Sequence, residues 1–399
     1  MNQRNCPVCD SLKSKSLYSN SDYKYIDANG EIYRAPLHYV VCDDCAHIYK
    51  NPNPDSEQFN ELYRSAMIDA AETSAEENDA RAAQHFNAFI KLANEFFSES
   101  QEPISVLEIG CGNGKMLKEI CVCYHDKIKQ AKGIDPSLPL GRALSGNNYF
   151  EFENIRFDQL DLSRKYDFII LDNVFEHFDF PREELNRLKQ ILTMDGQIYI
   201  AIPNILLTPT GFVDMFAGHP SNYLLENFNW LIDQSGFHLL RYDYGKWLTC
   251  LIRPKRTGDD SVKLDIISAK SKVNELIGRQ FRKNNDVRGK IILLIEKEVA
   301  ELKRKGKKLI IFGAGCHTQE LLCQIDFENV ICGLIDKNSY YHGKKRMGYL
   351  VYSPAQISSL EFGKILLSSQ SFENDMRKTL INLGVAQDRI ISIYENVGY

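Results

Sequence analysis

Two cysteine pairs open the chain, Cys6-Pro-Val-Cys9 and Cys42-Asp-Asp-Cys45. A C-x-x-C turn aims two thiolates at one ion, and two such turns complete a closed tetrahedral site. With no open position, the expected Zn2+ would hold structure rather than react. A reduced thiol set or iron–sulfur ligation are the alternatives. Metal affinity is coupled to folding, so the first ~50 residues should lose their structure without it. A different chemistry gathers further on. The run VLEIGCGNG (106–114) places Glu108 before Gly110, Cys111, Gly112 and Gly114. Such glycines permit a tight strand-to-helix turn and close backbone approach by a ligand. AKGID then ends in Asp135, an acid placed to accept hydrogen bonds from ribose hydroxyls. YDFIILDNVFEH supplies Asp172, Asn173, Glu176 and His177, and a later loop supplies His219 with Tyr223 nearby. An imidazole titrating near neutrality suits removal of a proton from a hydroxyl.

Positioning these groups requires strands that end where the acids and glycines stand. ISVLEIG, AKGID, YDFIILD and QIYIAIP are short apolar runs separated by helical stretches. That alternation predicts βαβ units and a parallel sheet. Ahead of them, Phe86, Phe89, Ile90, Leu92, Phe96 and Phe97 recur at helical spacing. The stretch 253–308 is polar and charge-rich, and reads as a linker followed by a helix. A second strand–loop–helix opening, KLIIFGAGCHTQELL, carries Gly313 and Gly315, with Thr318 where a dinucleotide fingerprint has a third glycine. VICGLID then sets Asp336 at a strand end. Nucleotide binding at Gly313–Thr318 and a purely structural fold are both open, and His317 would touch a phosphate or cap the helix. The expected architecture is α/β: a zinc module (1–54), a Rossmann-like sheet domain (55–252), a linker and helix (253–308), and a second Rossmann-like domain (309–399).

As a set, E-x-G-C-G-x-G, then I-D, then D followed by E-H, then an apolar strand ending in P-N resembles the class I S-adenosylmethionine (SAM) dependent methyltransferases over about 104–252. The resemblance implies that Glu108 and Gly110–Gly114 line the methionine side of SAM. It implies that Asp135 holds the ribose, that Asn154 or a neighbour sits by the adenine, and that Asp172 and Asn173 lie beside the sulfonium. The segment CDDCAHIYKNPNPDSEQFNELYRS resembles the join between zinc module and SAM domain in three-domain sugar C-methyltransferases. There a tyrosine matching Tyr63 packs near the active site. The C-terminal segment resembles the last domain of the same family. Those enzymes carry Y-H-E-H where this chain reads Phe216-Ala217-Gly218-His219, so only the final histidine is kept. The loss of phenol and carboxylate argues against C-methylation of a keto sugar and for O-methylation of a sugar nucleotide or surface-polysaccharide precursor. The candidate catalytic residues are His219, Tyr223, His177 and Tyr63. C-methylation with a rearranged base set, and a SAM-binding scaffold without turnover, are the competing readings.

The bulk properties set limits. The 399 residues, 44% hydrophobic and 25% charged, are an ordinary globular composition. A net charge of −5 and the lack of a basic run argue against a nucleic-acid partner. No run is apolar enough to span a membrane, and MNQRNCPVCD lacks a signal-peptide core, so a reducing cytoplasm is expected. There, Cys111, Cys121, Cys123, Cys250, Cys316, Cys323 and Cys332 read as small core residues.

Overall fold

The six residues of β4 (Ile104–Ile109) are buried throughout, as a strand covered on both faces must be. Period-two alternation divides its neighbours between two cores. Leu107, Ile109, Ile169, Leu171, Ile198 and Ile200 face one way. Val106, Phe168, Ile170, Tyr199 and Ala201 face the other. The computed structural model describes residues 3–26, 30–52, 75–136, 148–206, 218–245, 247–370 and 372–395.

In chain order, β1 (Ser14–Ile26) and β2 (Ile32–Cys42) form an antiparallel hairpin, followed by β3 (Ile48–Lys50). Helix α1 (Ala75–Glu99) leads into β4, then α2 (Lys115–Cys123), β5 (Ile128–Ile134), β6 (Glu151–Glu153) and β7 (Tyr166–Asp172). Next come α3 (Pro181–Ile191), β8 (Leu192–Pro203), β9 (Ser221–Asn222), α4 (Leu225–Gln234), β10 (Phe237–Tyr244) and β11 (Trp247–Pro254). The central sheet runs β10-β11-β8-β7-β4-β5-β6. Its members pair in parallel except β11, which is antiparallel to both β8 and β10. The chain builds outward from β4 to β6 and then returns to the other side of β4 with β7. That reversal is a topological switch point, which opens a crevice at the carboxyl ends of β4 and β7.

Helices α1 and α2 cover one face through Phe89, Leu92, Phe97, Leu117 and Ile120. Phe89 meets Phe97, Phe168 and Tyr199 edge-on, with ring centroids 5.3–5.8 Å apart. Truncating it to alanine should cost about 3–5 kcal/mol. Helices α3 and α4 cover the opposite face through Leu185, Leu188, Phe228 and Leu231.

The N-terminal hairpin is not a separate bead. β3 pairs with β9, joining Ile48 to Asn222 and Tyr49 to Ser221, so one four-stranded sheet spans both ends of the first half. Cys6, Cys42, Cys45, Val8 and Tyr49 belong to the same buried cluster as the central sheet.

Past β11 come α5 (Ile266–Lys272) and, after a π turn, the long α6 (Gly278–Arg304). The strand β12 (Leu309–Phe312) opens a second α/β unit with α7 (Cys316–Gln324), β13 (Ile331–Ile335), β14 (Lys345–Arg346), β15 (Tyr349–Tyr352), β16 (Lys364–Leu367), α8 (Glu373–Asn382) and β17 (Ile390–Ile391). Its sheet runs β14-β15-β13-β12-β16-β17, parallel except for β14. Helix α6 seals one face with Ile291, Ile295, Val299 and Leu302.

One sequence expectation fails here. Cys123 and Cys332 are exposed, whereas Cys111, Cys121 and Cys250 are buried. Cys123 ends its helix, and Cys332 takes the outward position of a strand whose other residues are buried. Apolar neighbours in sequence do not fix which face a residue takes. No helix among the described residues is long and apolar enough to cross a membrane.

Candidate active site

At the end of β4 the chain turns through Gly110, Gly112 and Gly114, with φ of +67°, +55° and +69°. These left-handed angles are what glycine provides. The amides of Gly110 and Cys111 donate to the carbonyl of Ile134 at 2.8 and 3.0 Å, lashing the turn to the end of β5. The amide of Gly112 donates to the Asp135 carboxylate at 3.0 Å. A Cβ on Gly110 would strike Val174 at 2.4 Å, while one on Gly112 would meet nothing within 4 Å among the described residues. The first glycine therefore serves packing, and the second leaves open space above the loop. The side-chain amide of Asn154 donates to the backbone carbonyl of Asp135 at 2.7 Å, so the two residues expected at opposite ends of a nucleoside are coupled.

Three acids converge at the strand ends. Glu108 is buried, and burial first, then the charges of Asp172 and Asp135, pushes its carboxyl well above the usual range. Asp172 is gripped from α1: Nδ1 of His85 lies 2.7 and 2.9 Å from its two oxygens. The ring of His85 rests against Trp247 at 4.2 Å. His85 was missed by sequence reasoning, although its place one turn before the buried Phe89 was a legible signal that it faces inward. Asn173 follows at φ +53°, a conformation asparagine tolerates, with its amide donating to Ala201 at 2.9 Å.

A second group lies beyond Asn173. Nδ1 of His177 donates to the carbonyl of Gly218 at 2.8 Å. Its ring meets that of His219 at 4.9 Å, near-perpendicular. Nε2 of His219 lies 3.9 Å from Glu176, so the loop after β7 returns a carboxylate that the Phe216–His219 stretch itself lacks. Burial pushes Glu176 up to about 8 and His177 down to about 4, and it also lowers His219 well below its ordinary value, with His177 and Lys50 adding to that.

The N-terminal module forms a wall of this site. The Tyr39 hydroxyl donates to the His219 carbonyl at 2.6 Å. The amide of Lys50 donates to Pro220 at 3.0 Å, and Arg4 reaches the same carbonyl at 3.3 Å. Nε2 of His47 lies 3.2 Å from the Ser221 hydroxyl. Lys50 is buried, which brings its amine down to about 7. Tyr223 sits in an aromatic group with His47, Phe175 and Phe228 at 4.8–5.5 Å, its hydroxyl buried. Tyr63 and Phe216 fall outside the described residues.

The four cysteines fit one tetrahedral ion. All four sulfurs lie within 4.8 Å of one another, with Cys6–Cys45 at 3.5 Å and Cys9–Cys42 at 3.4 Å. Four thiolates on Zn2+ at ~2.3 Å stand about 3.8 Å apart. Each pair ends in a left-handed residue, Asp10 at φ +63° and Ala46 at φ +56°. The amide of Asp44 faces the Cys42 sulfur at 3.4 Å.

Residues 81–242 match the methyltransferase domain family, across the glycine loop and the three acids. The matched segment holds a methyltransferase domain. Residues 305–391 match the C2185-like, N-terminal family. The malonyl-[acyl-carrier protein] O-methyltransferase of Acetivibrio thermocellus is 26% identical over 126 residues, 29% of this chain and 44% of that protein. The chain thus spans less than half the length of that relative. The Burkholderia thailandensis 1,6-didemethyltoxoflavin-N1-methyltransferase, with bound 1,6-didemethyltoxoflavin and S-adenosylhomocysteine, shows 13% identity and a TM-score of 0.40, covering 53% of this chain and 97% of that one. The magnesium protoporphyrin IX methyltransferase of Synechocystis PCC 6803 with bound S-adenosylhomocysteine shows 15% identity and a TM-score of 0.34, covering 43% and 83%.

Outside the methyltransferase domain, the second glycine turn resembles the first in one bond. Asp336 accepts the amide of Ala314 at 2.8 Å. Gly313 has φ +113°, and a Cβ there would meet the Ser368 carbonyl at 2.8 Å. Thr318 donates to Gly313 and lies 2.7 Å from Ser368, while no atom of the described residues stands within 4 Å of a Cβ on Gly315. His317 is held between Ser368 at 2.9 Å and Tyr394 at 2.5 Å.

Proposed function

We propose that this chain transfers the methyl group of SAM to a hydroxyl of a small carbohydrate-like acceptor, a sugar nucleotide or surface-polysaccharide precursor. SAM would lie on Gly110–Gly114, with its ribose at Asp135, its adenine by Asn154 and its sulfonium near Asp172 and Asn173. The observation that carries this reading is the space above Gly112, open among the described residues, with the Gly112 amide tied to Asp135. The sulfonium supplies a reactive methyl carbon, and the protein's task is to place the acceptor in line with it. His219 takes the hydroxyl proton. Its low basicity when buried keeps the ring neutral and able to accept. The Gly218–His219 turn is held by His177 and Tyr39. The reading includes a structural Zn2+ at the four cysteines, a module of residues 1–54, a SAM domain of 55–252, a linker and helix of 253–308, and a C-terminal Rossmann-like domain of 309–399 with Gly313, Gly315, Thr318 and Asp336 as a nucleotide loop.

One observation favours C-methylation of a nucleotide-linked keto sugar as the second reading. Glu176 stands beside His219, which restores a carboxylate–imidazole pair by another route. Calorimetric titration with SAM and its demethylated product tests the cofactor. Labelled SAM with hydroxyl and keto-sugar nucleotides then separates the acceptors. Tight SAM binding with no transfer to any of them would point to a scaffold without turnover.

A further inference from the structure

We propose that Glu176, His177 and His219 form a binding site for a first-row divalent transition-metal cation, distinct from the four cysteines. One donor atom from each residue lies within 4.8 Å of the other two. Two imidazoles and one carboxylate suit Zn2+, Co2+ or Fe2+, whereas Mg2+ and Ca2+ take oxygen donors. Three protein ligands leave at least one position open.

Glu176 is the strongest observation. It is 2% exposed, and neither of its oxygens has a hydrogen-bond partner among the described residues. A buried carboxylate needs a counter-charge or donors, and a cation between it and the two rings supplies the charge. The arrangement behind the rings has the form of an outer shell. Donation from Nδ1 of His177 to Gly218 puts that ring's lone pair on Nε2, as in metal-ligating histidines. The hydroxyl of Tyr39 fixes the backbone of His219 from behind. The Glu176–His219 separation of 3.9 Å must close by about half an ångström to match donors on a tetrahedral ion with bonds of ~2.0–2.1 Å. Lys50 acts on both rings, and burial brings its amine down to about 7, so its charge opposes a cation there less as the pH rises through that value.

A ring that gives its lone pair to a cation cannot take a proton. Occupancy of this site and the base role of His219 therefore exclude each other. This kinetic consequence rests on the proposed function, whereas cation binding does not.

The test uses the full chain with its cysteine site filled by Zn2+ and loose metal removed, titrated with Co2+ alone. One equivalent should bind, giving d–d bands without sulfur-to-metal charge transfer. Glu176→Gln and His219→Asn should each weaken Co2+ at least about tenfold. Zinc content and SAM binding should stay unchanged in both. No binding, thiolate bands only, or affinity unaltered in both variants would overturn the site. If binding holds, Co2+ should suppress methyl transfer in step with occupancy. Full turnover at full occupancy would remove His219 as the base and leave the cation site standing.

Discussion

The carboxylate of Asp135 accepts the amide of Gly112 at 3.0 Å, so the acid proposed to hold the ribose also fixes the loop beneath the cofactor. Asp336 does the same for Ala314 at 2.8 Å in the C-terminal sheet. Asp135→Ala removes a charged acceptor and the loop tether together. A hydrogen bond to a charged group contributes about 1.5–3 kcal/mol, so SAM affinity should fall roughly ten- to a hundredfold. Asp336→Ala should leave it at the wild-type value. Calorimetry on both variants decides, and an equal loss in the two would sever Asp135 from the cofactor.

Gly110 and Gly112 should respond differently to alanine. Both sit at positive φ, which costs an alanine about 1–2 kcal/mol. Gly110→Ala adds a collision with Val174, so its thermal midpoint should drop further than that of Gly112→Ala. Gly112→Ala points its methyl into the open space and should lose SAM binding while remaining folded. Melting curves and SAM titration read the two effects separately.

Metal removal should reach beyond the cysteines. Cys42→Ser should lose one Zn2+ per chain by elemental analysis and lower the melting temperature. Strand β2 holds His219 through Tyr39, and β3 beside it pairs with β9 through Ile48 and Tyr49. Methyl transfer should therefore fall more steeply than SAM affinity. A variant lacking zinc that transfers at the wild-type rate would detach the module from the acceptor site.

His219→Ala should reduce transfer about 10²- to 10⁴-fold, the range for loss of a general base. SAM affinity should hold, because the side chain lies beyond Asn173 rather than on the glycine loop. Wild-type turnover in this variant would rule out the base assignment.

The half of the candidate site proposed for the cofactor was legible as geometry because each of its parts is local. Left-handed angles at Gly110, Gly112 and Gly114, an acid at the end of β5 and another at the end of β7 are set within a few residues of chain. The four cysteines were legible for the same reason, since each pair is one turn. The geometry around His219, proposed for the acceptor, was not. His85 reaches Asp172 from α1, and Glu176 reaches His219 across a connection of many residues. His85 could have been placed by its helical face, but nothing local names its partner.

The sequence alone determined the strand order of chemistry, namely the glycine turns, the strand-end acids and the paired cysteines, because backbone conformation and hydrophobic period are short-range properties. Only the tertiary structure decided that the cysteine module packs against the Gly218–Asn222 segment, through the pairing of β3 with β9 and the bond from Tyr39 to His219. It also decided that Glu176, His177 and His219 meet, and that Cys123 and Cys332 lie at the surface. The physical reason is burial. Which faces are covered depends on segments far apart in the chain sharing one core, and no window of neighbouring residues encodes that pairing.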